Sequence, residues 1–194
     1  KLLPQATALD PALMTGLPPA ITAATGMDAL THAVESWLSR TSTEQTERWA
    51  SAAIALIFAN LPTACRDGAN LPARRAMAVA SYYAGLAFTR TSVGYVHAIA
   101  HQLGAHYRTP HGLANALVLP HVLEYSIGPG EKAMAAMARR IGLSGSSDAA
   151  LARAFLDAVR TLAREVGIPT TLDALRPSDI PTLAEEALAE SYAN

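Results

Sequence analysis

The stretch Gly26-Met27-Asp28-Ala29-Leu30-Thr31-His32-Ala33-Val34-Glu35-Ser36-Trp37-Leu38 sets the secondary-structure class of the chain. Leu30, Val34, Trp37 and Leu38 recur at the spacing of one helix face. Thr25 stands three residues before Asp28 in the form of a capping box, so a helix is expected over 26–39. Upstream, Pro18-Pro19 can open a helical turn. Downstream, Thr43 is placed to cap a second helix through Ile54, Ile57 and Phe58, with Pro62 as its stop. Further helices are expected over 72–88 and 92–107, from Pro110 toward Tyr125, and over 131–141, 148–166 and 179–190. Pro120 should kink or end the fifth helix, and Gly128-Pro129-Gly130 should break it from the sixth. Residues 65–70, 142–147 and 167–177 read as loops.

Composition agrees with helices. The chain holds 41 alanines against 8 valines, 8 isoleucines and 3 phenylalanines. Alanine is the best helix former, whereas β-branched and aromatic residues favour strands. No useful stretch alternates with period two. An all-α, multi-helix bundle is expected, with 1–16 as a lead-in or linker remnant and 17–194 as one helical domain. A net charge of −1 provides no basic field for nucleic acid. Apolar runs such as 50–61 are too short to span a bilayer. The single Cys65 excludes a disulfide framework and a multi-thiolate zinc site. The N-terminal Lys1-Leu2-Leu3-Pro4 is no signal peptide and no Met precedes it, so a fragment or processed product is expected.

The chemistry lies in the histidines. Six are present, and His97, His101, His106, His111 and His121 fall within 25 positions. Asp28 and His32, four apart, share a helix face and can bind one cation. They serve equally as a capping acid and a half-buried core histidine. His97 and His101 repeat the spacing of four among small and apolar residues. The glutamate that a metalloprotease helix needs after its first histidine is missing, so that class is excluded. A hydrogen-bonded core pair is the other reading of these two. His111 sits in Thr109-Pro110-His111-Gly112, where Pro110 sets a helix start and Gly112 permits close backbone approach. His106, expected in a loop, and His121 read as structural or surface residues. Asp28, His32, His97 and His111 together offer one carboxylate and three imidazoles, a set suited to zinc or ferrous iron.

At these residues the chain resembles the iron-containing (group III) alcohol dehydrogenase family. Ala23-Ala24-Thr25-Gly26-Met27-Asp28-Ala29-Leu30-Thr31-His32-Ala33-Val34-Glu35 is similar to one family signature. Residues 94–101 with Leu103-Gly104, then Thr109-Pro110-His111-Gly112-Leu113-Ala114-Asn115-Ala116, are similar to the other. Gly167-Ile168-Pro169 fits the family as well. The resemblance covers essentially the whole chain and corresponds to the C-terminal helical half of the usual protein.

The resemblance implies that Asp28, His32, His97 and His111 are ligands of Fe²⁺, or of Zn²⁺. It places His101 near the nicotinamide as a candidate catalytic proton relay, and Phe88 in the substrate pocket. In many members of that family Asn stands two residues after that phenylalanine, where this chain has Arg90. The implied reaction is NAD- or NADP-dependent interconversion of a small alcohol and its aldehyde or ketone, by metal-assisted hydride transfer. A cytoplasmic homo-oligomer, a dimer, is expected for the intact protein, with no nucleic-acid or membrane partner. The family's dinucleotide-binding domain is not expected in this chain. Gly128-Pro129-Gly130-Glu131-Lys132-Ala133 matches a G-x-G-x-x-[GA] string but follows a helix, without a βαβ unit. The chain is therefore expected to be inactive by itself. The alternatives are a glycerol dehydrogenase-like or dehydroquinate synthase-like metal domain, and a non-catalytic helical metal-binding or assembly module.

Overall fold

The computed structural model describes residues 5–190. Lys1 to Pro4, the start of the expected lead-in, lie outside the described residues. Among those described there are seven α-helices and no strand: α1 (Pro19–Leu38), α2 (Glu44–Arg66), α3 (Leu71–Thr91), α4 (Tyr95–Tyr107), α5 (His111–Arg140), α6 (Asp148–Glu165) and α7 (Ile180–Glu190). Short 3-10 turns at Pro11–Met14 and Pro177–Asp179 complete the path. None of these helices is long and apolar enough to cross a membrane.

The expected all-α bundle is what forms, and α1 is its axis. This helix packs against α2, α3 and α5 at once. Met27, Leu30 and Val34 are fully buried, and so are the small Ala23 and Ala33 on the same helix. Ile54, Ile57 and Leu61 of α2 and Ala80, Ala84 and Ala87 of α3 close the core around it. The alanine surplus thus does two jobs: it favours helix and lets helices lie close. On the other flank α6 buries Leu151, Phe155, Val159 and Leu162, one stripe, against α5.

Several expectations at helix ends are corrected. Thr25 is no cap: α1 begins at Pro19, and the Thr25 hydroxyl donates back to the Ile21 carbonyl at 2.8 Å. Pro19 opens the first turn without needing an amide hydrogen bond. Thr43 does cap α2, in a reciprocal box with Thr46. Pro62 fails to stop α2, which runs on to Arg66. Leu61, Ala64 and Cys65 remain buried on the same face, and burial outweighs one lost hydrogen bond near the helix end.

The same competition decides α5. It continues through Pro120 and Pro129, so Gly128-Pro129-Gly130 is not a break and the expected helix over 131–141 is its last part. Leu119 and Leu123 before the glycines and Met134 and Met137 after them are all buried. Ending the helix would expose one of those sets. By contrast, α4 starts later than expected, because Ser92 adopts φ 66° and the chain turns there.

Candidate metal centre

Three helices bring the candidate side chains together. On α1, Asp28, His32 and Glu35 lie along one face, spaced by four and three residues. The turn at Ser92 after α3 delivers His97 in the first turn of α4, and His111 is the first residue of α5. Gly112 makes the α5 contact possible. A Cβ on it would meet the Ala24 carbonyl oxygen at 2.5 Å, so only glycine lets α5 abut the backbone of α1.

Asp28, His97 and His111 converge: one donor atom from each lies within 4.8 Å of the others. Asp28 Oδ1 is 3.4 Å from His111 Nε2 and 3.6 Å from His97 Nε2. His32 lies beside this trio rather than in it. Its Nδ1 is 3.9 Å from Asp28 Oδ2, and its ring is sandwiched between Phe88 (4.2 Å) and His97 (4.4 Å). His101 stacks on His111 at 5.4 Å, while its Nδ1 pairs with Glu190 of α7. Gln102 donates to the same carboxylate at 2.8 Å.

The remaining candidates lie elsewhere. His106 is not in a loop but on α4, paired with Glu186 at 2.6 Å. His121 lines a cavity of about 480 Å³ between α5 and α6, with Arg160 and Pro169. Phe88 turns one side to His32 and lines an open groove of about 500 Å³ with Thr91 and Val93. Arg90 also lines that groove and lays its guanidinium over Trp49, 5.2 Å from the ring.

Two residues that motif reading passed over hold the cluster in place. Glu35 accepts from His97 Nδ1–H at 2.6 Å, from the Val96 amide at 2.6 Å and from the Gly94 amide at 3.0 Å. Asn115 donates to Asp28 Oδ1 at 2.6 Å and approaches His111 Nε2 at 3.1 Å. Both carried a signal: Glu35 is a lone acid in an apolar run, one turn past His32, and Asn115 is four residues after His111.

Electrostatics sharpen the picture. Burial alone would push the Asp28 carboxyl up, but the adjoining imidazoles and Asn115 pull it below its ordinary value. Burial also opposes charge on His97, yet the Asp28 and Glu35 carboxylates outweigh it and raise that imidazole to about 9. Burial drives His32 down to about 4 and lowers His111 as well, so both are neutral near pH 7.

This donor set fits a divalent cation. His97 Nε2 is buried and has no hydrogen-bond partner, although it points at Asp28. A buried polar atom left so is unfavourable, and a cation between it and the carboxylate removes the penalty. A tetrahedral ion about 2.1 Å from its donors holds them about 3.4 Å apart, close to the two separations found. Nitrogen and oxygen donors without sulfur suit zinc or ferrous iron. The His97 side chain is 2% exposed and that of His111 47%, so an ion would be reached from the His111 side.

Known proteins resemble the chain over most of its length. Residues 22–194 match the description "Fe-containing alcohol dehydrogenase family, C-terminal". The chain is 45% identical, over 195 aligned positions, to a 1,3-propanediol dehydrogenase of Klebsiella pneumoniae, covering 98% of this chain and 50% of that protein. It superposes on a crystal structure of 1,3-propanediol oxidoreductase with a TM-score of 0.93 at 45% identity, covering 95% of this chain and 49% of that one. A sulfoacetaldehyde reductase from Bifidobacterium kashiwanohense, solved with NAD+, gives a TM-score of 0.84 at 32% identity, covering 95% and 48%. The chain thus spans about half the length of the curated relatives it matches.

Proposed function

Since the chain belongs to the Fe-containing alcohol dehydrogenase family, matching its C-terminal part, we propose that it is the metal- and substrate-binding part of an NAD(P)-dependent alcohol dehydrogenase. The observation that carries this is the buried, unpartnered His97 Nε2 facing Asp28 beside His111. Asp28, His97 and His111 would hold the ion, with His32 joining after a small rotation of its ring. Fe²⁺ is the first candidate and Zn²⁺ the second, and an ion held there would supply Lewis-acid polarisation of a substrate oxygen.

This chain's own residues do the rest. Phe88 offers an apolar wall to the carbon chain of a small alcohol, and its stack on His32 keeps that wall fixed. His101 is the proton carrier: Glu190 engages its Nδ1, leaving Nε2 to exchange a proton with substrate or water. No strand exists among the described residues, so they hold no strand-to-helix glycine turn for dinucleotide phosphates. NAD or NADP would be bound by a part of the protein outside residues 17–194, with the nicotinamide meeting the cluster across a cleft. Support for a nicotinamide partner comes from the NAD+ present in the sulfoacetaldehyde reductase structure.

The test is the protein carrying this chain together with its nucleotide-binding part, as wild type and as His97→Ala. Wild type should bind about one Fe²⁺ or Zn²⁺ per chain and reduce NAD+ or NADP+ with short primary alcohols or diols. The variant should lose both. Unchanged metal content and unchanged turnover in His97→Ala would remove the site.

A further inference from the structure

Glu35 is a carboxylate only 7% exposed, and no Lys or Arg pairs with it among the described residues. Burying such a charge is costly unless hydrogen bonds replace its water. Three N–H groups do so, and they fall into two sets. The Gly94 and Val96 amides belong to the start of α4, whose Gly94 has no side chain to cap it. The carboxylate from α1 caps α4 instead, at the positive end of its dipole. The third donor, His97 Nδ1, belongs to a side chain and is not needed for capping.

That third bond has a chemical consequence. An imidazole whose Nδ1–H is committed to a carboxylate has only Nε2 left to give to another partner. In this protein Nε2 is the atom that is buried, unpartnered and 3.6 Å from Asp28 Oδ1. The ring cannot readily turn over, since His32 lies flat against it at 4.4 Å. Gly94 makes room for the arrangement: a Cβ there would sit 2.9 Å from Glu35 Oε1.

We infer that Glu35 is the positioning residue of the metal centre, fixing the tautomer and orientation of His97 so that Nε2 is its ligating atom. The inference rests on the proposed metal-binding reading of the cluster. It adds that an acid touching neither metal nor substrate sets how tightly the ion is held. Hydrogen-bonded carboxylates behind ligating histidines typically govern affinity by 10–100-fold, roughly.

The test uses zinc, on the full chain. Two-bond ¹H–¹⁵N spectra of histidine-labelled, zinc-loaded wild type should show His97, assigned by its loss in His97→Ala, protonated at Nδ1 and zinc-bound at Nε2. Glu35→Gln keeps the side chain's shape and an oxygen for the α4 amides, but turns an amide donor on the neighbouring groups. Its zinc dissociation constant should rise about 10–100-fold, while its metal-free far-UV spectrum stays that of wild type. Gly94→Ala, which displaces the carboxylate without altering any charge, should weaken zinc in the same direction. His97 protonated at Nε2 in wild type, or a Glu35→Gln protein that binds zinc within about twofold of wild type, overturns the inference and leaves the metal site standing. If Glu35→Gln does not fold, the wild-type spectrum decides alone. Wild type that binds no zinc or iron at all sinks both readings.

Discussion

Gly112 presses on Ala24 so closely that a Cβ would stand 2.5 Å from the Ala24 carbonyl oxygen and 2.8 Å from its carbonyl carbon. Both contacts are to backbone, which cannot swing aside. Gly112→Ala should therefore push the start of α5, and His111 with it, away from Asp28. We expect a stability loss of about 1–3 kcal/mol, as for other overpacked sites. Metal affinity should fall as well, because His111 supplies a donor 3.4 Å from Asp28 Oδ1. Denaturant unfolding and metal titration of the variant check the two effects separately. Wild-type values for both would refute the tight-contact account.

The metal-free protein should show a stability optimum in pH. His97 is raised to about 9 in the folded chain, above its ordinary 6.5. Its contribution is fully present below about pH 6.5 and is lost as pH rises through about 9. His32 is lowered from 6.5 to about 4, so the unfolded chain takes up that proton first. Its contribution is present above about pH 6.5 and is lost as pH falls toward 4. Thermal midpoints in chelator should peak between these limits. The alkaline decline should shrink in His97→Gln, and a decline of equal slope in that variant would count against the assignment.

Metal reverses the alkaline limb. Coordination requires an unprotonated Nε2 on His97, so the ion competes with the proton that this imidazole otherwise holds. Affinity should rise with pH from about 6 to 9, and the loaded protein should gain thermal stability over the same interval. Titrations with Zn²⁺ at three pH values measure this, and an affinity independent of pH contradicts it.

The ligand candidates should not be equivalent. His97 belongs to the converged trio, whereas His32 is held in a stack between Phe88 and His97. His97→Ala should weaken metal by more than about 100-fold, and His32→Ala by less, nearer 10-fold. Equal losses would show that His32 is already a full member of the set.

Glu190→Ala isolates the α7 contact. The Glu190 and His101 side chains are each about 40% exposed, and exposed pairs contribute at most about 1 kcal/mol. Stability and metal content should stay near wild type. Turnover should fall, because His101 loses the carboxylate that engages its Nδ1 and holds its ring. Turnover equal to that of wild type would remove His101 from the proton path.

Helix class and the candidate ligands were legible in the residues themselves. The apolar spacing around Leu30 and Val34, the alanine surplus and the Thr43 cap all act within one or two turns, where local geometry decides. The spacings Asp28–His32 and His97–His101 belong to the same short range. Punctuation misled wherever burial opposed it. Pro62 and Gly128-Pro129-Gly130 are strong breakers in isolation, but Ala64, Cys65, Met134 and Met137 beyond them are buried, and packing kept the helices whole. Thr25 looked like a cap because Asp28 follows it, yet Pro19 had already opened the helix.

The sequence by itself determined that this chain is helical and that it carries three imidazoles and a carboxylate suited to one cation. Only the tertiary structure decided which of them meet. Asp28 lies 69 residues from His97 and 83 from His111 along the chain, and their separation in space depends on how α1, α4 and α5 pack. Gly112 against Ala24 sets one of those approaches, and Glu35 bonded to Gly94, Val96 and His97 sets the other. Periodicity carries no term for such contacts. They arise from steric exclusion and from the need of a buried carboxylate for hydrogen-bond donors, and both act between segments that the linear order keeps apart.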